Sequence, residues 1–483
     1  MLDSTIKPQD KGAGDRLCHF AATLDFAELP QDVREQNKLA ILDIFGDAIA
    51  GSHFAEGAKE IRGYALSAGS GGRSTLWAAG ERCAPGLAAL VNATHARGLD
   101  YDDIIPFPQI HVSVHVVPAL AALAEDRQDV TTGRDFLMAM VVGCELQARL
   151  TRAIAPFFGS DLPSLLSSQI FGYFSAALAC ARLMRLDPPA SRSALGLALM
   201  HAAGTEEMVV HASRSMGKII YAGLSNQGGV QCALMAAAGI TAEGDALTGQ
   251  AGLFAALYGG RFDAGALTEQ LGSEFYSLNR CFKSAPGTLA AHSFAEAAIL
   301  LKQDLGVSAD DVQRIVLHVG SWGRAMCEPI ELRRHPPSAS AAMNSIPFVV
   351  AKALANGAVD LSDFQEVGRA QAAVSSIVSR IHYEFSPALS KTDGLEQATV
   401  EFVMSNGSTF RKTVHVPLGH PERPLSREQA IAKFRHNAAF SDRPDLVART
   451  DQIAERVLNL ENETDIAAFV GAMFAKNNNG AGR

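Results

Sequence analysis

Between about residues 17 and 270 the apolar positions recur every three or four residues, the period that lays one stripe along an α-helix. From Gln36 to Gly51, Leu39, Leu42, Phe45 and Ile49 share such a stripe, and Gly51 supplies an expected stop. A second stripe, Leu137, Val141, Cys144 and Ala148, follows Thr132, with Asp135 placed as a capping-box partner. Between Phe171 and Leu186, the residues Ala176, Ala177, Ala179 and Ala181 leave little side-chain bulk, so neighbouring helices can approach closely. Residues 1–272 are therefore expected to form a helical bundle.

After about Ser273 the period shortens. Ile315, Leu317 and Val319 alternate within 312–319, which predicts a strand, and 400–416 predicts a hairpin turning at Asn406-Gly407. Helices are expected at 290–305, 345–355 and 361–379, making 273–420 an α+β unit. Ser426, with Gln429 three residues on, opens a further helix toward Phe434, and another is expected over 446–474. These C-terminal helices, in 421–483, are expected to pack back on the helical part, ending in a disordered tail at 477–480.

At 483 residues the chain is long enough for two domains. A 48% hydrophobic, 19% charged composition with 42 glycines suits close-packed helices. Against 42 Lys and Arg stand 51 Asp and Glu, and the net charge of -9 argues against a general nucleic-acid or membrane-surface binder. An anionic ligand then needs a local cationic pocket. The seven cysteines are scattered and contain no C-x-x-C, which disfavours zinc, iron-sulfur clusters and a disulfide framework. No metal or other cofactor is expected. The polar start Met1-Leu2-Asp3-Ser4 has no secretory core, and no run of about 18 uncharged apolar residues follows, so a cytoplasmic location is expected.

Three segments carry candidate chemistry. Asp100-Tyr101-Asp102-Asp103 places three carboxylates in four residues, which cannot all be buried without partners, and His111 and His115 follow. Four residues apart, these histidines would share a helix face and invite a metal, yet Val112 to Val114 contain no Glu; one functional and one structural histidine is the alternative. The second segment, Arg214 to Tyr221, could put Lys218 and Tyr221 on one helix face, or hold only a solvated lysine beside a packed tyrosine. The third, Arg280 to Thr288 with His292 beyond, falls where the helical half gives way to the α+β half and brings proton-capable Lys283 and His292; a basic linker is the plainer reading.

In this order the segments resemble the 2-methylcitrate dehydratase (MmgE/PrpD) superfamily, which includes cis-aconitate decarboxylases and iminodisuccinate epimerase. The resemblance spans nearly the whole chain. It rests on Ile41 to Asp47, Asn92 to Asp103, His111 to Pro118, Lys218 to Gly229, Lys283 to Pro286, and Ser345 to Phe348. It implies an all-helical domain with an inserted smaller α+β lid, an active site between them, and a homodimer. The functional positions implied are Asp100, His111, Lys218, Lys283 and His292, with Arg97, Asp103 and Tyr221 added as substrate-binding candidates. Departures are Leu166 and Arg97 where the pattern has histidines, Ile104 for a threonine and Phe348 for a tyrosine.

The expected activity is that of a metal-independent lyase, a dehydratase or decarboxylase, acting on a small di- or tricarboxylic acid. Lys218 and Lys283 would stabilise negative charge in the transition state, and His111 would transfer a proton. An epimerase of a dicarboxylate, or an inactive binding protein on the same scaffold, is the alternative. Because Leu166 and Phe348 cannot donate a proton, efficient decarboxylation of cis-aconitate is not expected.

Overall fold

The computed structural model describes residues 12–158, 164–210, 216–391 and 394–474. The expected tail at 477–480, together with Met1 to Ser4 and the Arg214-Ser215 pair, lies outside them. Among the described residues, helices dominate and the sheets are small.

The first stripe becomes the helix Gln31–Phe54, which does not stop at Gly51. A Cβ on Gly51 would lie 1.9 Å from the carbonyl oxygen of His95, so this glycine lets the helix cross the Pro85–Arg97 helix at close range. The Thr132/Asp135 capping box forms at the head of the helix Gly133–Ile154. The alanine-rich helix Ser167–Leu183 packs between it and the helix Gly217–Ala237, where a Cβ on Gly229 would meet Ala176 at 2.3 Å.

The strand Val312–Val319 pairs in parallel with Ile381–Phe385 and antiparallel with Ala398–Met404, which turns at Asn406-Gly407 into Thr409–Val414. Helices Leu289–Leu305 and Ile346–Asn356 cover this four-stranded sheet, and Ile315, Leu317, Phe348, Val350 and Phe402 fill a separate core. The single helix expected over 361–379 is broken into Leu361–Phe364, Glu366–Arg369 and Ala372–Val378. The helix expected over 446–474 is likewise three turns and helices, Pro444–Val447, Thr450–Leu458 and Ile466–Phe474, with a 3₁₀ turn at Leu460–Asn462. Continuous apolar spacing hides such breaks because each short piece still turns its apolar side inward.

The helix Arg427–Ala439 opens on the Ser426/Gln429 capping box and packs against Gln31–Phe54. Phe434, Ile453, Val457, Phe469 and Phe474 are buried in the same core as Ile41 and Phe45. No helix among the described residues is long and apolar enough to cross a membrane.

Candidate active site

The Pro85–Arg97 helix delivers its last residue, Arg97, and then Asp100 into a buried cluster. Asp100 adopts φ 49°, a left-handed conformation costly for a residue with a Cβ, and its neighbours hold it there. Lys283 donates to the Asp100 carbonyl at 2.7 Å and to Oδ1 at 2.5 Å, while the amide of Gly287 donates to the same carbonyl at 3.2 Å. Lys218 reaches Oδ2 at 3.0 Å from the start of its helix, and Arg97 reaches Oδ1 at 3.0 Å. Burial alone would raise the Asp100 pKa, but Arg97, Lys218 and Lys283 outweigh it and hold the carboxyl well below its usual range.

A short hairpin aligns the other groups. Ile104–Pro106 pairs with Gln109–His111, putting Ile104 opposite His111, and the outer edge of Ile104 exchanges backbone hydrogen bonds with Cys281 at 3.0 and 2.7 Å. One apolar residue thus knits the His111 strand to the segment bearing Lys283. His111 Nδ1 stands 2.7 Å from Asp102 Oδ2, although poorly aligned for a hydrogen bond, and Nε2 stands 3.9 Å from Asp100. Burial, aided by Arg97, lowers the His111 pKa to about 4, so the ring is neutral at pH 7. Burial also lowers Lys218 to about 8, against the pull of Asp100. Of these two, Lys218 rather than His111 titrates nearer neutrality.

The two histidines do not share a helix face. His111 ends a strand, whereas His115 ends a 3₁₀ turn, bonds Ser225 at 2.7 Å and lies against the Tyr221 ring. His115 is structural. Tyr221 accepts a 2.6 Å bond from Arg97 Nε, and Arg97 also meets Asp102 at 3.3 Å, so both brace the cluster from behind. Asp103 accepts from the Ser113 amide and hydroxyl at 3.0 and 2.7 Å and faces Arg280 at 3.6 Å. His292, on the Leu289–Leu305 helix, is buried with neither ring nitrogen in a well-formed hydrogen bond; burial, then Lys283, lowers its pKa to about 3.

Two contributors escaped the sequence reading. Asn344, just before the Ser345 motif, accepts a 2.6 Å hydrogen bond from Lys218 and so carries the α+β unit into the site. Lys433, from a C-terminal helix, donates to the Tyr101 carbonyl at 2.7 Å and to Asp43 at 2.6 Å, fixing the peptide next to Asp100. Neither sits in a local pattern that spacing could flag. Phe348 lies in the core of the α+β unit against Phe364. Leu166 lies two residues before Ser168, whose hydroxyl accepts from the His111 amide at 3.0 Å.

Three cations, Arg97, Lys218 and Lys283, thus face the carboxylates of Asp100 and Asp102 in a place nearly closed to water, beside two neutral imidazoles. Such an arrangement attracts a further anion and can give or take protons within it. Asp100, Asp102 and His111 also offer ligand atoms within 4.8 Å of one another. Lys283, Lys218 and Arg97 already bond the Asp100 oxygens, however, and a dication would meet three positive neighbours there.

The chain is 26% identical over 456 residues to the cis-aconitate decarboxylase of Homo sapiens, covering 91% of this chain and 90% of that protein. It is 26% identical to that of Mus musculus over 90% and 88% of the two chains, and 25% identical to that of Aspergillus terreus (strain NIH 2624 / FGSC A1156) over 97% and 96%. The MmgE/PrpD N-terminal domain model matches residues 15–264, which include Asp100, His111 and Lys218, and the C-terminal domain model matches 286–460, which include His292 and Asn344. With both family models matched in order across most of the chain, the protein belongs to the MmgE/PrpD family.

Proposed function

We propose that this protein is a metal-independent lyase, of the dehydratase or decarboxylase type, whose substrate is a small di- or tricarboxylic acid. The observation that carries the reading is the excess of fixed cations around Asp100 in a chain of net charge -9. The relatives named above are decarboxylases, and a decarboxylase is a lyase.

Charge developing next to a substrate carboxylate would be stabilised by Lys218 and Lys283, already oriented before the reaction begins. In a dehydration, neutral His111 takes the proton next to a carboxylate, the electron pair forms the double bond, and the hydroxyl leaves with a proton from Lys218. In a decarboxylation, the carbon-carbon bond electrons stay on the substrate carbon and Lys218 supplies the proton to it. His292, whose ring nitrogens make no well-formed hydrogen bond within the protein, would hydrogen-bond a substrate oxygen. Arg97, Asp103 and Tyr221 act as braces in this reading, since their polar atoms are engaged within the protein.

Screening di- and tricarboxylates by thermal stabilisation, followed by product analysis, tests the proposal. Release of water or carbon dioxide supports it; exchange of one hydrogen with solvent and no group lost would make the protein an epimerase, and binding without turnover a binding protein. Lys218→Met and Lys283→Met should each lower turnover by ~100-fold or more. Folding must be checked for both, because Lys283 is 1% exposed and its loss leaves buried Asp100 less compensated. A homodimer is part of the same proposal, and a single-chain mass in solution would remove it.

A further inference from the structure

A cavity of about 570 Å³ lies beside the Ile104–Pro106 strand, in the size range of small-molecule sites. None of Asp100, His111, Lys218 or Lys283 lines it, whereas Ile105, next to the Ile104 that pairs with His111, does. One wall comes from the helix Gly133–Ile154 and the turn Tyr276–Asn279, the other from the α+β unit and the segment after its last strand.

Its polar lining is one-sided. Among the described residues, Arg152, Lys391, His415 and His420 line the space with Glu422 as the one carboxylate, and none of the four basic groups forms an ion pair. Arg152 is held in place: its guanidinium lies 3.8 Å from the centre of the Tyr276 ring, and Arg149, engaged with Glu145, lies over the same ring at 4.7 Å. The Glu422 amide donates to His420 Nδ1 at 3.2 Å, which leaves the proton of a neutral ring on Nε2, free to donate. Ile105, Leu395 and Val416 supply apolar surface. In a chain of net charge -9, two exposed cations, Arg152 and Lys391, beside an apolar floor match a ligand with one anionic end and a hydrocarbon body.

We infer that this cavity is a second binding site, distinct from the catalytic cluster, for a small organic anion with an apolar aryl or alkyl body. Titration calorimetry of the full-length protein with phenylbutyrate tests it. Saturable binding of one equivalent is expected, with the neutral phenylbutyramide and inorganic phosphate each binding roughly tenfold weaker or less, since each lacks one half of the recognised chemistry. Arg152→Gln and Lys391→Gln, both exposed and with melting temperatures expected to be unchanged, should each weaken phenylbutyrate by roughly tenfold. Lys218→Met should leave it intact. Absence of saturable binding at ~10 mM, equal affinity for the amide, or indifference to both surface substitutions overturns the inference. Binding abolished by Lys218→Met and retained in Arg152→Gln would also overturn it, by placing the anion in the catalytic cluster.

Discussion

Asp100 shows how much of this site depends on a single backbone conformation. Its left-handed φ turns the carboxylate toward Lys218 and its carbonyl toward Lys283, so one residue serves two lysines drawn from different segments. The protonation states follow from burial. For the proposed chemistry His111 must be neutral and Lys218 charged, so kcat/KM should rise as pH climbs through about 4 and fall as it passes about 8. Lys218→Arg should move the alkaline limb upward; a profile unchanged by that substitution would remove Lys218 from the proton chemistry. Chelation should leave turnover as it was, because the Asp100 oxygens are already bonded to cations; recovery of a stoichiometric metal that activity requires would defeat this. Leu166, two residues before the Ser168 that bonds the His111 amide, stands where the family resemblance implies an imidazole in decarboxylases, and missing general-acid assistance costs ~100-fold to ~10,000-fold. Slow itaconate formation from cis-aconitate at neutral pH is therefore expected, with improvement in Leu166→His; vigorous turnover by the unaltered protein would show that this position is not decisive.

Among the elements, the C-terminal helix Arg427–Ala439 has a reach that its own sequence conceals. Lys433 meets Asp43, Asp47 and the Tyr101 carbonyl, and its ammonium lies 3.7 Å from the Tyr101 ring centre. Burial opposes its charge, but Asp43 and Asp47 hold its pKa above the ordinary lysine range. Lys433→Met should destabilise the fold by ~3–5 kcal/mol, as expected when one partner of a buried ion cluster is removed. Adding Asp43→Asn and Asp47→Asn should recover much of the melting temperature while turnover stays low, since the peptide after Asp100 remains unanchored. Full recovery of turnover in the triple variant would mean that Lys433 serves stability alone. The helical stripes, the sheet strand 312–319, the Asn406-Gly407 turn and the capping boxes at Thr132 and Ser426 were legible in the sequence because each rests on contacts within a few residues. The breaks within 361–379 and 446–474, and the passage of the Gln31–Phe54 helix through Gly51, were not, because distant partners decide them.

Across the whole molecule, the two ends of the sequence build one core. Phe434, Leu446, Val457, Phe469 and Phe474 pack with Ile41, Phe45 and Trp77, and Phe45, Trp77 and Phe474 contact one another ring to ring. A chain ending at residue 420 would expose that face of the Gln31–Phe54 helix to water. Such a truncation should be insoluble or lack a cooperative thermal transition; a soluble product melting near the full-length temperature would show that the C-terminal helices are dispensable. Alone, the sequence determined that the protein is mainly helical with a smaller α+β part, because periodicity is local, while its resemblance to the MmgE/PrpD family singled out Asp100, His111, Lys218, Lys283 and His292 as candidates. Only the tertiary structure decided that His115 is a core residue, that Asn344 and Lys433 join the site, and that Lys218 rather than His111 titrates near neutrality. Those outcomes depend on burial and on charges brought together from segments more than 100 residues apart, which no local spacing records.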